Sequence, residues 1–178
     1  MPDAGIDRIL IAEDEIARTV QRLGREITAC YAGIDRELVV VGLLRGSFVF
    51  MADLIRAIRL PLVVDFISVS TYGDGTVSSG ELKMAMDLEQ SIEDRDVLLV
   101  EDIVDTGHTF SHVIRMMHSR RPRSLKVCTF LDKPSRRTCA VSIDFCGITI
   151  PDAFVCGYGL DFAQRYRNLP YVGVLKTD

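Results

Sequence analysis

The stretch that most constrains this chain is Val97-Leu98-Leu99-Val100, which runs directly into Glu101-Asp102-Ile103-Val104-Asp105-Thr106-Gly107-His108-Thr109. Four consecutive large apolar residues leave no polar face, so they read as a strand buried on both sides, the kind found in parallel sheets covered by helices. Residues 38–44 and 63–69 have the same valine-rich character, and 125–131 reads as a further strand. Between these runs the period changes. Ile16, Val20, Leu23 and Ile27 recur at helical spacing within 13–29, and helices are also predicted over 48–58 and up to about His118. Residues 82–86 are predicted as a returning strand. After Lys133 come shorter apolar pieces (145–150, 154–156, 171–175) set off by Pro134, Pro151 and Pro170, which read as small edge strands in a substrate-facing lobe. Strand–helix–strand repetition predicts an α/β fold with a mostly parallel central sheet flanked by helices.

A chain of 178 residues is long enough for one domain with its own core. Apolar residues at 48% and charged residues at 26% fit an ordinary soluble globule and argue against disorder. The net charge of -4 argues against wrapping nucleic acid. No window approaches the roughly 20 apolar residues of a membrane helix, and the first residues lack a basic flank followed by an apolar run. Cys30, Cys128, Cys139, Cys146 and Cys156 are odd in number and contain no CxxC pair, so reduced thiols in a cytoplasmic protein are expected.

Ligands of open α/β sheets bind beyond the carboxyl ends of the strands. Glu101, Asp102 and Asp105 fall there, followed by Thr106, Gly107 and Thr109 at a predicted helix start, where unpaired amides favour a phosphate. The carboxylates repel phosphate and instead suit a sugar diol, a metal ion or a proton in transit. A phosphorylated sugar with Mg²⁺ satisfies both halves of the segment. An acidic loop that merely caps the helix through Asp105 or Thr106 is the alternative. Neither GxxxxGK[ST] nor GxGxxG is present. Residues 71–81, with Gly73, Gly75, Gly80, Asp74, Ser78 and Ser79, read as a mobile loop, either a surface hairpin tip or a lid.

The run 97–109 resembles the 5-phosphoribosyl-1-pyrophosphate (PRPP) motif of the type I phosphoribosyltransferases. The resemblance extends over nearly the whole chain, and its nearest kin are the bacterial hypoxanthine-guanine phosphoribosyltransferases. It implies a single domain over 1–178, with the type I fold and a small hood lobe built from the N-terminus and about 134–178. It implies that Glu101 and Asp102 face the ribose hydroxyls and Mg²⁺, and that Asp105 to Thr109 cradle the 5'-phosphate. His108 stands where several relatives have lysine or leucine, and reads as a neutral loop residue or a weak phosphate partner. Leu44-Arg45-Gly46-Ser47 resembles the pyrophosphate loop, in which relatives carry a cis peptide before the basic residue. Thr71, Tyr72 and the stretch holding Ser78, Ser79 and Gly80 resemble the closing loop.

The same resemblance implies that Lys133 donates to a purine 6-oxo group, that Phe154 stacks on the base, and that Val155 offers backbone groups to its 2-position edge. Asp161 corresponds to a carboxylate near a second Mg²⁺, and Arg167 to an arginine on pyrophosphate. Taken alone, Lys133 reads as a solvated turn lysine, Phe154 as core, Asp161 as a loop acid and Arg167 as surface. The implied reaction joins PRPP to N9 of hypoxanthine or guanine, giving IMP or GMP and pyrophosphate, with Asp105 handling the proton at N7. A xanthine-preferring relative and a PRPP-binding regulator without catalysis are the competing expectations. A homodimer or homotetramer is also implied.

Overall fold

The computed structural model describes residues 5–71 and 82–176. Its elements in chain order are β1 (Ile6–Ile11), α1 (Glu13–Cys30), β2 (Leu38–Leu44), α2 (Phe48–Ala57), β3 (Leu62–Thr71), β4 (Leu82–Met86), β5 (Asp96–Val104), α3 (His108–Ser119), β6 (Ser124–Asp132), β7 (Phe145–Thr149), β8 (Val155–Cys156) and β9 (Val172–Leu175). A short 3-10 turn at Pro134–Arg136 follows β6.

Six strands form the central sheet in the order β4-β3-β2-β5-β6-β7. All its pairings are parallel except β3 with β4. β2 and β5 are buried on both faces as expected, whereas β3 is not, its Val63 and Val64 each being 40% exposed. Leu38 and Val40 of β2, with Leu98 and Val100 of β5, pack under α1 and α2 against Leu23, Ile27, Phe50 and Leu54. Val39 and Val41, with Val97 and Leu99, pack on the opposite face against Phe110, Val113 and Met117 of α3. The alternation is the period of two that a strand imposes on its side chains. A separate antiparallel sheet, β1-β9-β8, forms the hood.

The topology positions the site. From β2 the chain crosses through α2 to β3 on one side, and from β5 it crosses through α3 to β6 on the other. Strand order reverses between β2 and β5, which opens a crevice beyond their carboxyl ends. The Arg45–Ser47 turn leaves one strand there and the Asp105–Gly107 turn leaves the other.

Three differences from the sequence reading stand out. The run 145–150, expected in the hood lobe, instead supplies β7, which pairs parallel with β6 at the edge of the central sheet. β1 was not predicted as a strand. β5 does not stop at Val100, because β6 is long enough to pair Glu101 with Thr129, Ile103 with Leu131 and Val104 with Asp132. Glu101 and Asp102 therefore sit on the strand itself and not in the loop after it. Thr71 closes β3, whereas Tyr72, Ser78, Ser79 and Gly80 of the expected lid lie outside the described residues.

Candidate active site

Glu101 and Asp102 are held at the end of β5 by their own neighbours. Glu101 Oε1 accepts from the Asp102 amide at 3.0 Å, and Asp102 Oδ1 accepts from the Ile103 amide at 2.7 Å. Burial pushes the Glu101 carboxyl well above the usual range, and the Asp102 charge beside it adds to the rise. Burial also raises Asp102, against opposing hydrogen bonds and the positive charge of Arg167. Two adjacent carboxylates that resist ionising together form a site that gains from a cation or from hydroxyl donors.

The turn after β2 comes up against this pair. The peptide between Leu44 and Arg45 is cis. A Cβ at Gly46 would lie 1.5 Å from Asp102 Oδ2, so only glycine lets the backbone come this close to the carboxylate. Gly159 of the hood in turn abuts the Gly46 carbonyl, since a Cβ there would be 2.3 Å from that oxygen. Three segments distant in sequence thus meet at Gly46.

Beyond Asp105, Gly107 takes φ +87 and caps α3 without any side-chain hydrogen bond. Helix capping by Asp105 or Thr106, the alternative from sequence, is therefore not what the turn does. Thr106 is half-buried, and Thr109 is exposed in the first turn of α3. His108 Nε2 lies 2.9 Å from Thr138 Oγ1, so its ring is held by the segment after the 3-10 turn.

The base-sized cavity opens beside this turn. An open cavity of about 280 Å³ is lined by Ile103, Asp105, Lys133, Arg136, Asp152, Ala153, Phe154, Val155, Leu160 and Asp161. Lys133 is only 5% exposed, which removes the solvated-turn alternative. Its Nζ donates to the Ala153 carbonyl at 2.8 Å and lies 3.6 Å from Asp105 Oδ2. Asp105 Oδ1 is buried and accepts no hydrogen bond from the described residues, although Arg136 Nε is 3.4 Å away. A buried acceptor left without a donor is costly, which makes it a ready partner for an incoming N–H. Phe154 is not core. The residue is 54% exposed, and its ring meets Phe162 edge-on, with centroids 5.6 Å apart. Val155 is buried in β8, paired with Val174.

Asp161 and Arg167 are engaged with each other inside the hood loop. Asp161 Oδ1 pairs with Arg167 Nη2 at 2.7 Å, and Asp161 Oδ2 accepts from the Gln164 amide at 2.9 Å. Arg167 Nη1 donates to the Gly159 carbonyl at 2.7 Å. Neither is a free surface charge. Among the described residues no group of three or more His, Cys, Asp or Glu side chains is placed to hold a metal ion, so Glu101, Asp102 and Asp161 do not form one ligand cluster. Mg²⁺, however, commonly takes only one or two protein carboxylates and completes its shell with water and substrate oxygens. The Glu101–Asp102 pair fits that use.

The structure therefore brings Asp105, Lys133, Phe154, Val155 and Asp161 around one cavity, and places Arg45, Gly46, Glu101, Asp102 and the 105–109 turn at the mouth of one crevice. Sequence reasoning missed Arg136, Asp152, Ala153, Ile103 and Leu160. The pair Arg136-Arg137, so close to Lys133, was the available signal. A second cavity of about 570 Å³, lined by Glu13, Phe48, Asp53, Tyr158 and Arg167 among others, lies between α1, α2 and the hood loop and contains none of the residues at the ends of β5 and β6. No helix among the described residues is long and apolar enough to cross a membrane.

Comparison with known proteins gives a consistent result. Residues 9–163 match the phosphoribosyl transferase domain model. The chain is 50% identical to the hypoxanthine-guanine phosphoribosyltransferase of Bacillus subtilis over 171 residues, 96% of this chain and 94% of that protein. It is also 50% identical to the bifunctional protein TilS/HprT of Listeria innocua, covering 97% of this chain but only 26% of that longer protein. The crystal structure of a hypoxanthine phosphoribosyltransferase from Staphylococcus aureus superposes with a TM-score of 0.91 at 45% identity, covering 97% of this chain and 92% of that one.

Proposed function

The chain belongs to the hypoxanthine-guanine phosphoribosyltransferase family, and on that premise we propose that it transfers the 5-phosphoribosyl group of PRPP to N9 of hypoxanthine or guanine, giving IMP or GMP and pyrophosphate. It is an enzyme of purine salvage, and the whole of 1–178 acts as one catalytic domain. The observation that carries the assignment is the 280 Å³ cavity, in which a buried lysine, an exposed aromatic face and a carboxylate oxygen without a hydrogen bond converge beside the phosphate turn.

Each residue has a part that follows from its place. Phe154 provides the face on which the purine stacks. Lys133 donates to the 6-oxo group, and the backbone at Val155 meets the 2-position edge. Asp105 Oδ1 accepts the N7 proton as the N9–C1' bond forms and the bond from C1' to pyrophosphate breaks. Glu101 and Asp102 take the ribose hydroxyls and would hold Mg²⁺. When bound there, Mg²⁺ neutralises charge on the leaving pyrophosphate. Asp161, whose two oxygens are taken by Arg167 and the Gln164 amide, would have to give up one of these partners to hold a second Mg²⁺; Arg45, Gly46 and Arg167 meet the pyrophosphate, and Thr106 to Thr109 hold the 5'-phosphate on backbone amides. The working assembly is a homodimer or homotetramer in the cytoplasm.

The test is PRPP-dependent nucleotide formation with the wild type and Asp105→Asn side by side. Asparagine keeps the shape and removes the base, so kcat falls by about 10²–10⁴, while PRPP affinity stays within a few-fold. PRPP binding without turnover in the wild type makes the protein a regulator. Near-normal kcat for Asp105→Asn across pH removes Asp105 as the base.

A further inference from the structure

A phosphate-binding turn must show its amide N–H groups to the ligand, so its carbonyls need partners elsewhere. In this chain the carbonyls of three successive residues, Val104, Asp105 and Thr106, are taken by one short segment, 137–139. Arg137 Nε donates to the Asp105 carbonyl at 2.9 Å, and Arg137 Nη2 donates to the Val104 carbonyl at 3.1 Å. The amides of Thr138 and Cys139 both donate to the Thr106 carbonyl at 3.1 Å. The same guanidinium also binds the carboxylate of Asp132 at the end of β6. Val104 O accepts in addition from the Lys133 amide at 3.0 Å. Arg137 is 17% exposed, as is Asp132.

In a trans peptide, C=O of one residue and N–H of the next point in opposite directions. Holding the carbonyls of 104, 105 and 106 on the side of 137–139 therefore turns the amides of 105, 106 and 107 to the other side. The fork of a guanidinium reaches both carbonyls and a carboxylate at once, whereas a lysine offers a single nitrogen. Gly107 completes the fit, since a Cβ there would lie 2.6 Å from the Cys139 carbonyl and 3.0 Å from Arg137 Cδ. The contact also ties the phosphate turn to the strand end that carries Lys133.

We propose that Arg137 is a positioning residue that presets the amides of Asp105 and Thr106 for the 5'-phosphate by holding the carbonyls of Val104 and Asp105 from behind, while the backbone of 138–139 does the same for the Gly107 amide through the Thr106 carbonyl. Arg137 touches neither substrate in this account, and the proposal rests on the reading of the turn as the 5'-phosphate cradle. The test compares the wild type with Arg137→Lys and Arg137→Ala. Ribose 5-phosphate binding is followed by calorimetry, KM for PRPP and for hypoxanthine by steady-state rates, and folding by thermal melting. Both variants are expected to lose about tenfold or more in affinity for ribose 5-phosphate, the size of effect a lost charge-assisted hydrogen bond produces. KM for PRPP should rise more than KM for hypoxanthine, and millimolar guanidinium should restore binding in Arg137→Ala. Arg137→Lys keeps the charge and so distinguishes loss of the fork from loss of the fold. Ribose 5-phosphate affinity within twofold of wild type in both variants overturns the proposal. So does a loss that follows the melting temperature and is not restored by guanidinium. Absence of nucleotide formation in the wild type, with ribose 5-phosphate still bound and still dependent on Arg137, overturns the proposed function and leaves this inference standing.

Discussion

Replacing Lys133 with methionine separates recognition of the base from everything else at the site. The side chains are similar in length, and methionine fills the apolar part of the space. What is lost is a buried ammonium that donates to the Ala153 carbonyl at 2.8 Å and lies 3.6 Å from Asp105 Oδ2 and 3.9 Å from Asp152 Oδ1. Two consequences follow. The carboxylates of Asp105 and Asp152 lose a neutralising neighbour, which slows every base alike. A 6-oxo group also loses its charged donor, at a cost of about 1.5–3 kcal/mol, or roughly 10- to 150-fold. Adenine carries an amino group at position 6 and never used that donor. The ratio of kcat/KM for hypoxanthine over adenine cancels the shared effect and should fall by roughly the full 10- to 150-fold. The assay is initial rate against base concentration at saturating PRPP and Mg²⁺. A variant that is slower with every base but keeps the wild-type ratio refutes the assignment, because Lys133 would then act only through Asp105.

Two further outcomes are expected. Phe154→Ala removes the exposed ring, and loss of a stacking contact worth about 1–3 kcal/mol raises KM for hypoxanthine about 5- to 150-fold with KM for PRPP unchanged; equal effects on both substrates would contradict a stacking role. Glu101→Gln should stabilise the unliganded protein at neutral pH while lowering activity. The Glu101 carboxyl is raised above its ordinary 4.5 by burial and by Asp102, so the folded state holds a proton that the unfolded state has released. Stability therefore falls as pH climbs above 4.5 toward the raised value, and glutamine removes that penalty. Thermal melting without Mg²⁺ or PRPP should show a higher melting temperature than wild type near pH 7.5, with the difference shrinking toward pH 5. A gain independent of pH would point to packing instead.

Legibility in the sequence followed the physics of each element. β2 and β5 were readable because strands buried on both faces must be apolar without interruption. β1 was not, since Ile6-Asp7-Arg8-Ile9-Leu10-Ile11 is exposed at its centre and does not alternate, and its pairing with β9 shifts register twice. The extension of β5 through Glu101 and Asp102 depends on the length of β6, which no local pattern in β5 reveals. The phosphate turn is a contiguous run and was legible as such. The cavity is not contiguous. Arg136 and Asp152 reach it from separate segments, and Arg137 acts on backbone carbonyls, which leave no trace in a sequence. Phe154, Lys133 and Arg167 looked ordinary by composition, and their placement came from the family resemblance and then from burial and hydrogen bonds.

The most direct test of the account is a set of initial rates with PRPP and each of hypoxanthine, guanine, xanthine and adenine, with and without Mg²⁺. The cavity with Lys133 at its 6-position side predicts Mg²⁺-dependent formation of IMP and GMP, with little turnover of adenine or xanthine. Xanthine as the preferred base would reassign the 2-position edge at Val155, and adenine turning over as well as hypoxanthine would contradict the account at its centre.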